Sequence, residues 1–192
     1  MKHQFDPARH HRRSIRLKGY DYSREGAYFI TTCTHNRQRL FGSIHGRTMC
    51  LNDRGLIVRS IWEGLPDHYH HVHLDAFIIM PDHIHGIILL MDDCTAGNVI
   101  VGVGAGFKPA PTITHTSKSP RHALSEIVRA LKTFSARAIN KSRGTAGFRV
   151  WERNYYEHII RSEQSLNRIR RYIERNPEQW MSSMSSKSSG RV

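Results

Sequence analysis

Two stretches of this sequence carry side chains whose types and spacing could do chemistry. In Met80-Pro81-Asp82-His83-Ile84-His85-Gly86 two histidines stand at i and i+2. Alternate side chains on a strand share a face, so His83 and His85 would project together, about 7 Å apart at Cα. Ile84 and Ile87 are then expected to point the other way, into the core. Two imidazoles so placed can converge on one divalent ion, and a third ligand with open positions for substrate oxygens makes such a site catalytic. The second stretch is Arg168-Ile169-Arg170-Arg171-Tyr172-Ile173-Glu174-Arg175-Asn176-Pro177. If residues 166–175 are helical, Leu166, Ile169 and Ile173 form a buried stripe. Tyr172 and Asn176, four apart, meet at one edge of it, so a phenol and an amide oxygen face the same way.

Each stretch also has an ordinary reading. The chain has 14 histidines, and His71-Val72-His73 is a second triplet. That one sits in a polar run, whereas His83-Ile84-His85 opens an apolar strand able to hold a site rigidly, which favours the second. Taken without the H-x-H strand, Tyr172 reads rather as a packing tyrosine and Asn176 as a helix cap before proline. Tyr155 and Tyr156 compete for the tyrosine's role from opposite strand faces. His158 either approaches the metal from a neighbouring strand or faces solvent.

The elements that must position these groups follow from periodicity and turn signals. Residues 27–34 read as a strand and 51–65 as a helix capped by Asn52 or Asp53. Residues 72–80 and 83–91 form an antiparallel hairpin about Pro81-Asp82. A helix over 125–140 carries Ile127, Leu131, Phe134 and Ile139 near one face. Residues 148–160 read as a strand and 166–175 as a final helix that Pro177 ends. The order β-α-β-β-α-β-α predicts an α+β, ferredoxin-like split βαβ fold: a four-stranded antiparallel sheet with helices on one face, plus a C-terminal helix. Residues 1–18 read as a basic arm and 19–180 as one domain. A Gly/Pro-rich insertion at 95–120 reads as flexible, and the serine-rich tail at 181–192 as disordered.

Charge narrows the partner. Lys and Arg total 29 against 16 Asp and Glu, a net +13 with a pI near 10.2. That surplus makes a polyanion the expected partner, nucleic acid first. Three cysteines without a C-x-x-C pair argue against a disulfide framework and a structural zinc site. The N-terminal stretch has no apolar signal core, and no apolar run spans a membrane, which fits a cytoplasmic, nucleoid-associated protein.

Taken together, H-x-H on a strand and Y-x-x-x-N-P on a later helix resemble the single-tyrosine HUH transposases, and most closely their REP-associated tyrosine branch. YFITTCTHNR at 28–37, FIIMPDHIHGII at 77–88 and WERNYYEHIIRSEQSLNRIRRYIERNP at 151–177 carry the resemblance, which spans about residues 15 to 180. It implies that His83 and His85 bind Mg²⁺ or Mn²⁺ with Asn176, and that Tyr172 is the nucleophile. It further implies metal-dependent nicking and joining of single-stranded DNA through a 5′-phosphotyrosine, on hairpin-forming palindromic repeats. Arg12, Arg13, Arg16, Arg153, Arg168, Arg171 and Arg175 are the expected DNA contacts, with Arg161 in the same basic approach. A non-catalytic module binding single strands on its aromatics is the alternative. Monomer and homodimer both stay open.

Overall fold

A computed structural model of the chain describes Leu17, residues 19–91 and residues 121–188, with side chains up to Ser182. Arg12, Arg13 and Arg16 of the basic arm, and the stretch 95–120, lie outside these residues.

The sheet is built from β1 (Gly26–Cys33), β4 (Val72–Met80), β5 (His83–Leu90) and β6 (Tyr156–Ile160), in the spatial order β4-β5-β1-β6. Every neighbouring pair is antiparallel. With α1 (Asp53–Glu63) and α3 (Leu124–Arg143) this is the split βαβ arrangement expected from the element order. Asn52 caps α1, its side-chain oxygen accepting from the N–H groups of Arg54 and Gly55 at 3.1 Å each. Gly55, unfavourable by propensity, is required by packing: a Cβ there would run into the carbonyl oxygen of Phe41. A four-residue helix, α2 (Leu65–His68), returns the chain to β4.

The core has two parts. Between the sheet and helices α1 and α3 lie Tyr28, Ile30, Val58, Trp62, Ile84, Ile88, Ile127 and Leu131, all 2% exposed or less. On the opposite face a smaller cluster of Phe29, Ile87, Ile160 and Ile173 carries helix α4 (Glu163–Glu174), with Leu166 and Ile169 packed against it. The expected stripe on this helix is therefore the one it buries. Ile87 does not join Ile84 in the main core: two residues beyond His85, it shares the histidines' face, as strict alternation requires.

A bulge fixes how α4 sits. Leu74 pairs with Ile88 and Phe77 with Gly86, so two residues of β4 oppose one of β5. Asp75 and Ala76 occupy that extra space. Ala76 packs in the smaller cluster and Asp75 takes both arms of the Arg170 guanidinium, with Nε to Oδ1 at 2.9 Å. This bidentate pair ties α4 to the edge strand. Arg170 holds the Asp75 carboxyl below the usual carboxylate range.

The elements depart from the sequence reading in four places. Residues 42–51 form a separate hairpin, β2 (Gly42–His45) with β3 (Thr48–Leu51), too short and too mixed in polarity to read from sequence. The strand expected at 148–160 is a ladder only at Tyr156–Ile160. Before it, Trp151 makes a single bridge to Thr34, and the carbonyls of Glu152, Arg153 and Asn154 turn to the Lys132 ammonium instead of a strand partner. Pro177 does not end the chain's helical part. It stands at the second position of a further helix, α5 (Asn176–Ser188), where its missing N–H is no loss. That helix carries through residues 182–188, where the serine-rich composition predicted disorder.

Candidate active site

The sheet register brings the chemistry together. His83 pairs with Cys33 and His85 with Thr31, so both imidazoles stand on the face that α4 crosses. Each residue is only 5% exposed. Their Nε2 atoms lie 3.1 Å apart. The opposite nitrogens are held from behind: Nδ1 of His83 is 2.6 Å from Asp82 Oδ1, and Nδ1 of His85 is 2.7 Å from the Thr31 hydroxyl. A carboxylate only accepts, so His83 donates through Nδ1 and turns Nε2 toward the cavity. Burial foremost, then the neighbouring His83 and Arg37, pushes the pKa of His85 down to about 3, keeping that ring neutral at ordinary pH.

Asp82 is itself anchored. Its backbone carbonyl accepts from both the N–H and the hydroxyl of buried Thr34 at 2.9 Å each, and Arg37 Nε lies 3.4 Å from Oδ2. Arg37 reaches it from a left-handed turn, with φ of 53° at Asn36 and 54° at Arg37. Phe29 stacks on His85 with ring centroids 5.4 Å apart and meets the edge of the Tyr172 ring at 6.1 Å.

Tyr172, from α4, points its hydroxyl at His85, with O to Nε2 at 3.3 Å. Although 40% exposed, it lines the same cavity of about 540 Å³ as His83, His85, Thr31, Asp82 and the buried Asn176. Tyr172 and Asn176 do not share one helix: Asn176 opens α5, with Arg175 between it and the end of α4. The turn at Arg175 nevertheless leaves both on one cavity wall.

The donor set suits a divalent ion that keeps open positions. Two imidazole nitrogens converge, a carboxylate and a hydroxyl orient the rings from behind, and one buried amide adjoins. Among the described residues no cluster of three or more His, Cys, Asp and Glu forms a fuller cage. Further ligands would therefore come from Asn176 and from oxygens of a bound molecule.

The competing residues sit elsewhere. His71 is buried but bonds the His122 carbonyl at 3.0 Å through Nε2. Tyr155 packs on the main core, while Tyr156 meets Phe29 edge-on and stays 44% exposed. His158 is exposed and does not line the cavity. Arg153, Arg161, Arg168, Arg171 and Arg175 are exposed and none lines it either. The arginines that do are Arg37 and Arg39, joined by Gln179 and Trp180 of α5. Sequence reading did not single out any of these four. Arg37 and Arg39 lie beyond a strand end, where only the turn geometry aims them. Gln179 and Trp180 follow the proline expected to end the helix. No helix among the described residues is long and apolar enough to cross a membrane.

The family described as IS200-like transposases matches residues 114–176, a span that includes α3, β6, α4 and Tyr172. An uncharacterised protein of Haemophilus influenzae is 39% identical over 182 residues, covering 94% of this chain and 96% of its own. Among solved structures, a REP-associated tyrosine transposase bound to a REP hairpin superposes with a TM-score of 0.54 at 16% identity, over 85% of this chain and 73% of that one. A putative transposase from Deinococcus radiodurans R1 superposes with a TM-score of 0.44 at 19% identity, over 83% of this chain and 95% of that one. The chain belongs to the IS200-like transposase family, in one family with the Haemophilus protein, and has the fold of a REP-associated tyrosine transposase.

Proposed function

We propose that this transposase is a metal-dependent, single-tyrosine endonuclease and strand-transferase of the REP-associated branch, acting on single-stranded, hairpin-forming DNA. The observation that carries the reading is the convergence of three groups in one cavity. Two imidazole Nε2 atoms stand 3.1 Å apart, and a phenol hydroxyl stands 3.3 Å from that of His85.

In this reading His83, His85 and Asn176 hold Mg²⁺ or Mn²⁺, and imidazole donors favour Mn²⁺ of the two. The bound ion would neutralise charge on a phosphate oxygen and make the phosphorus more electrophilic. The chain's own residues do the rest. Asp82 makes Nδ1 of His83 the donor, and Asp82 and Thr31 set the tilt of the two rings. Phe29 stacks behind His85 and excludes water from that side. Tyr172 attacks phosphorus with its phenolate oxygen; the new O–P bond forms as the bond to the 3′ oxygen breaks, leaving a 5′-phosphotyrosine and a free 3′-hydroxyl. Because the energy of the phosphodiester stays in the tyrosyl ester, another 3′-hydroxyl can reverse the step without ATP. Arg37 and Arg39 bring positive charge to the cavity, and Arg153, Arg168, Arg171 and Arg175 extend it over the surface. Support for hairpin DNA as the partner is the shared fold of the transposase bound to a REP hairpin, together with the net +13.

The test is a cleavage assay on 5′- and 3′-labelled single-stranded hairpins from repeats flanking the gene, with Mn²⁺ or with EDTA. A protein-linked 5′ end that needs metal and is absent from Tyr172→Phe and His83→Ala is the expected outcome. Hairpin binding that is equal in EDTA, with no covalent adduct on any repeat, would leave a nucleic-acid-binding module in its place. An adduct surviving Tyr172→Phe would move the nucleophile to Tyr155 or Tyr156.

A further inference from the structure

We propose that Trp180, with Arg39 beside it, is a stacking seat for one unpaired base of the single strand, next to the phosphate that the cavity takes. The proposal deepens the DNA-cleaving reading and rests on it.

The cavity has two chemically different parts. One is the pair of imidazoles with Tyr172, suited to a phosphate and the ion it brings. The other is the indole of Trp180 with the Arg39 guanidinium over its ring at 6.0 Å and the Gln179 amide next along α5. The two parts touch, since the Trp180 and His83 ring centroids are 5.6 Å apart with their planes tilted by 34°. Trp62 and Trp151 are 2% and 7% exposed and belong to the main core, whereas Trp180 is only half-buried and lines a polar cavity flanked by cations. Burial in a core therefore does not account for a tryptophan at this position.

Size and depth say what could occupy it. About 540 Å³ is within the roughly 300–1,000 Å³ typical of small-ligand pockets, enough for one nucleotide and far short of a stretch of duplex. His83 and His85 are each 5% exposed, so a phosphate reaching them must leave the line of the strand. The base beside it then loses its stacking partners, at a cost in free energy. An indole face and a guanidinium plane are the two protein surfaces that best restore that stacking. The Gln179 amide adds a donor and an acceptor within reach of the base edge. Stacking of this kind tolerates any base, so the seat would select an unpaired base first and its identity only through Gln179.

The test pairs a binding readout with a cleavage readout. Trp180 is the half-open indole among three tryptophans, so its quenching on titration with a single-stranded hairpin oligonucleotide in EDTA reports stacking directly. Quenching is expected in the wild type, and should be lost in Trp180→Phe and reduced in Arg39→Gln. A scan of single abasic positions through the strand is expected to find one, adjacent to the cut, that removes the quenching. With Mn²⁺ the same abasic substitution should lower adduct formation by about ten- to hundredfold, the scale of one base–aromatic stack. Trp180→Ala should cause a similar loss on the intact strand and no further loss on the abasic one, and Trp180→Phe should retain most activity. An abasic penalty of equal size in wild type and Trp180→Ala overturns the proposal, as does a Trp180→Ala loss of equal size on both strands. If Trp180→Ala does not fold, Trp180→Phe and Arg39→Gln decide through the quenching. Should the wild type form no adduct on any repeat, the cleavage reading fails, and the abasic scan of quenching still tests the seat.

Discussion

Strand β5 sends Ile84, Ile88 and Leu90 to one side of the sheet and His83, His85 and Ile87 to the other, and the two sides are built differently. Toward α1 and α3 the fit is close. Trp62 lies flat against Phe77, with ring centroids 4.3 Å apart and planes 5° from parallel, and the pair fills the space above Gly86. Toward α4 and α5 the apolar cluster is small and gives way, beyond Ile87, to a polar cavity whose side chains are held by hydrogen bonds rather than by close packing. One strand thus serves as a rigid platform because its even residues are locked, and as a site because its odd residues His83 and His85, though buried, line a cavity where hydrogen bonds hold them. What the comparison teaches is that stability and chemistry are separable here by side-chain parity, and substitutions on the two faces should report that separation.

The largest effect is expected from the smallest change on the cavity side. Tyr172→Phe deletes one oxygen from a residue 40% exposed, so stability should move by no more than about 0.5 kcal/mol. Adduct formation, by contrast, should vanish. Gel detection of the covalent product and a thermal melt of the same sample check both halves. A variant that lost activity and stability together would mean that the tyrosine is structural.

Gly86→Ala probes the packed side. A Cβ at that position would lie 2.7 Å from Cζ2 of Trp62 and 3.1 Å from Cδ2 of Phe77, in a space that two stacked rings already fill. Overpacking of this kind costs about 1–3 kcal/mol. Urea unfolding should show a lower midpoint with an unchanged slope. Because Gly86 follows His85 directly, any shift of the strand that relieves the clash also moves a proposed ligand. Activity measured well below the melting temperature should therefore fall too, though far less than in Tyr172→Phe.

How much of this was legible in the sequence follows the same division. Packing imposes periodicity, so the strand and helix pattern, the α4 stripe of Leu166, Ile169 and Ile173, and the shared face of His83 and His85 could all be read from spacing. What supports the site could not. Thr31 orients His85 only because the register pairs the two residues, and register is a property of two strands together. Asp75 reaches Arg170 only because a bulge puts Asp75 and Ala76 opposite a single residue of β5. Arg37 meets Asp82 from a left-handed turn that non-glycine residues seldom adopt. Trp180 was hidden by Pro177: the same residue that stops a helix also starts one, and local sequence favours neither.

The bulge pair offers a milder way to disturb the cavity side from a distance. In Arg170→Gln the Asp75 carboxylate, 14% exposed, loses its bidentate partner, and stability should fall. The sign with pH follows from the direction of the shift. Arg170 lowers the folded-state pKa of Asp75, so the stabilisation is complete above the ordinary carboxylate value near 3.8 and is lost as pH falls through the lower, folded value. Wild type and variant should therefore differ in urea midpoint at pH 7 and converge in acid. A loosened α4 would also carry Tyr172 away from His85, lowering the rate of adduct formation while hairpin binding stays near the wild-type level.

Lys132 gives the opposite sign with pH, on the packed side and away from the cavity. Its ammonium donates to the carbonyls of Glu152 at 2.6 Å and Arg153 at 3.0 Å, stapling the segment before β6 to α3. Burial, only partly offset by Glu152, pushes its pKa down to about 8. Unfolded, the lysine keeps its ordinary value near 10.5, so between about pH 8 and 10.5 the unfolded chain binds the extra proton. More protons bound to the unfolded state means that stability rises with pH across this window, and below it the lysine contributes no slope. Lys132→Met removes the titrating group and the three donated hydrogens together. The variant should be less stable at pH 7, and its deficit against the wild type should widen as pH rises from 8 to 10.5. Following the difference in urea midpoint between the two proteins cancels the titration of tyrosines and other lysines. A difference that stayed flat over that range would mean that Lys132 ionises like a surface lysine, and that the staple is exposed enough to be solvated.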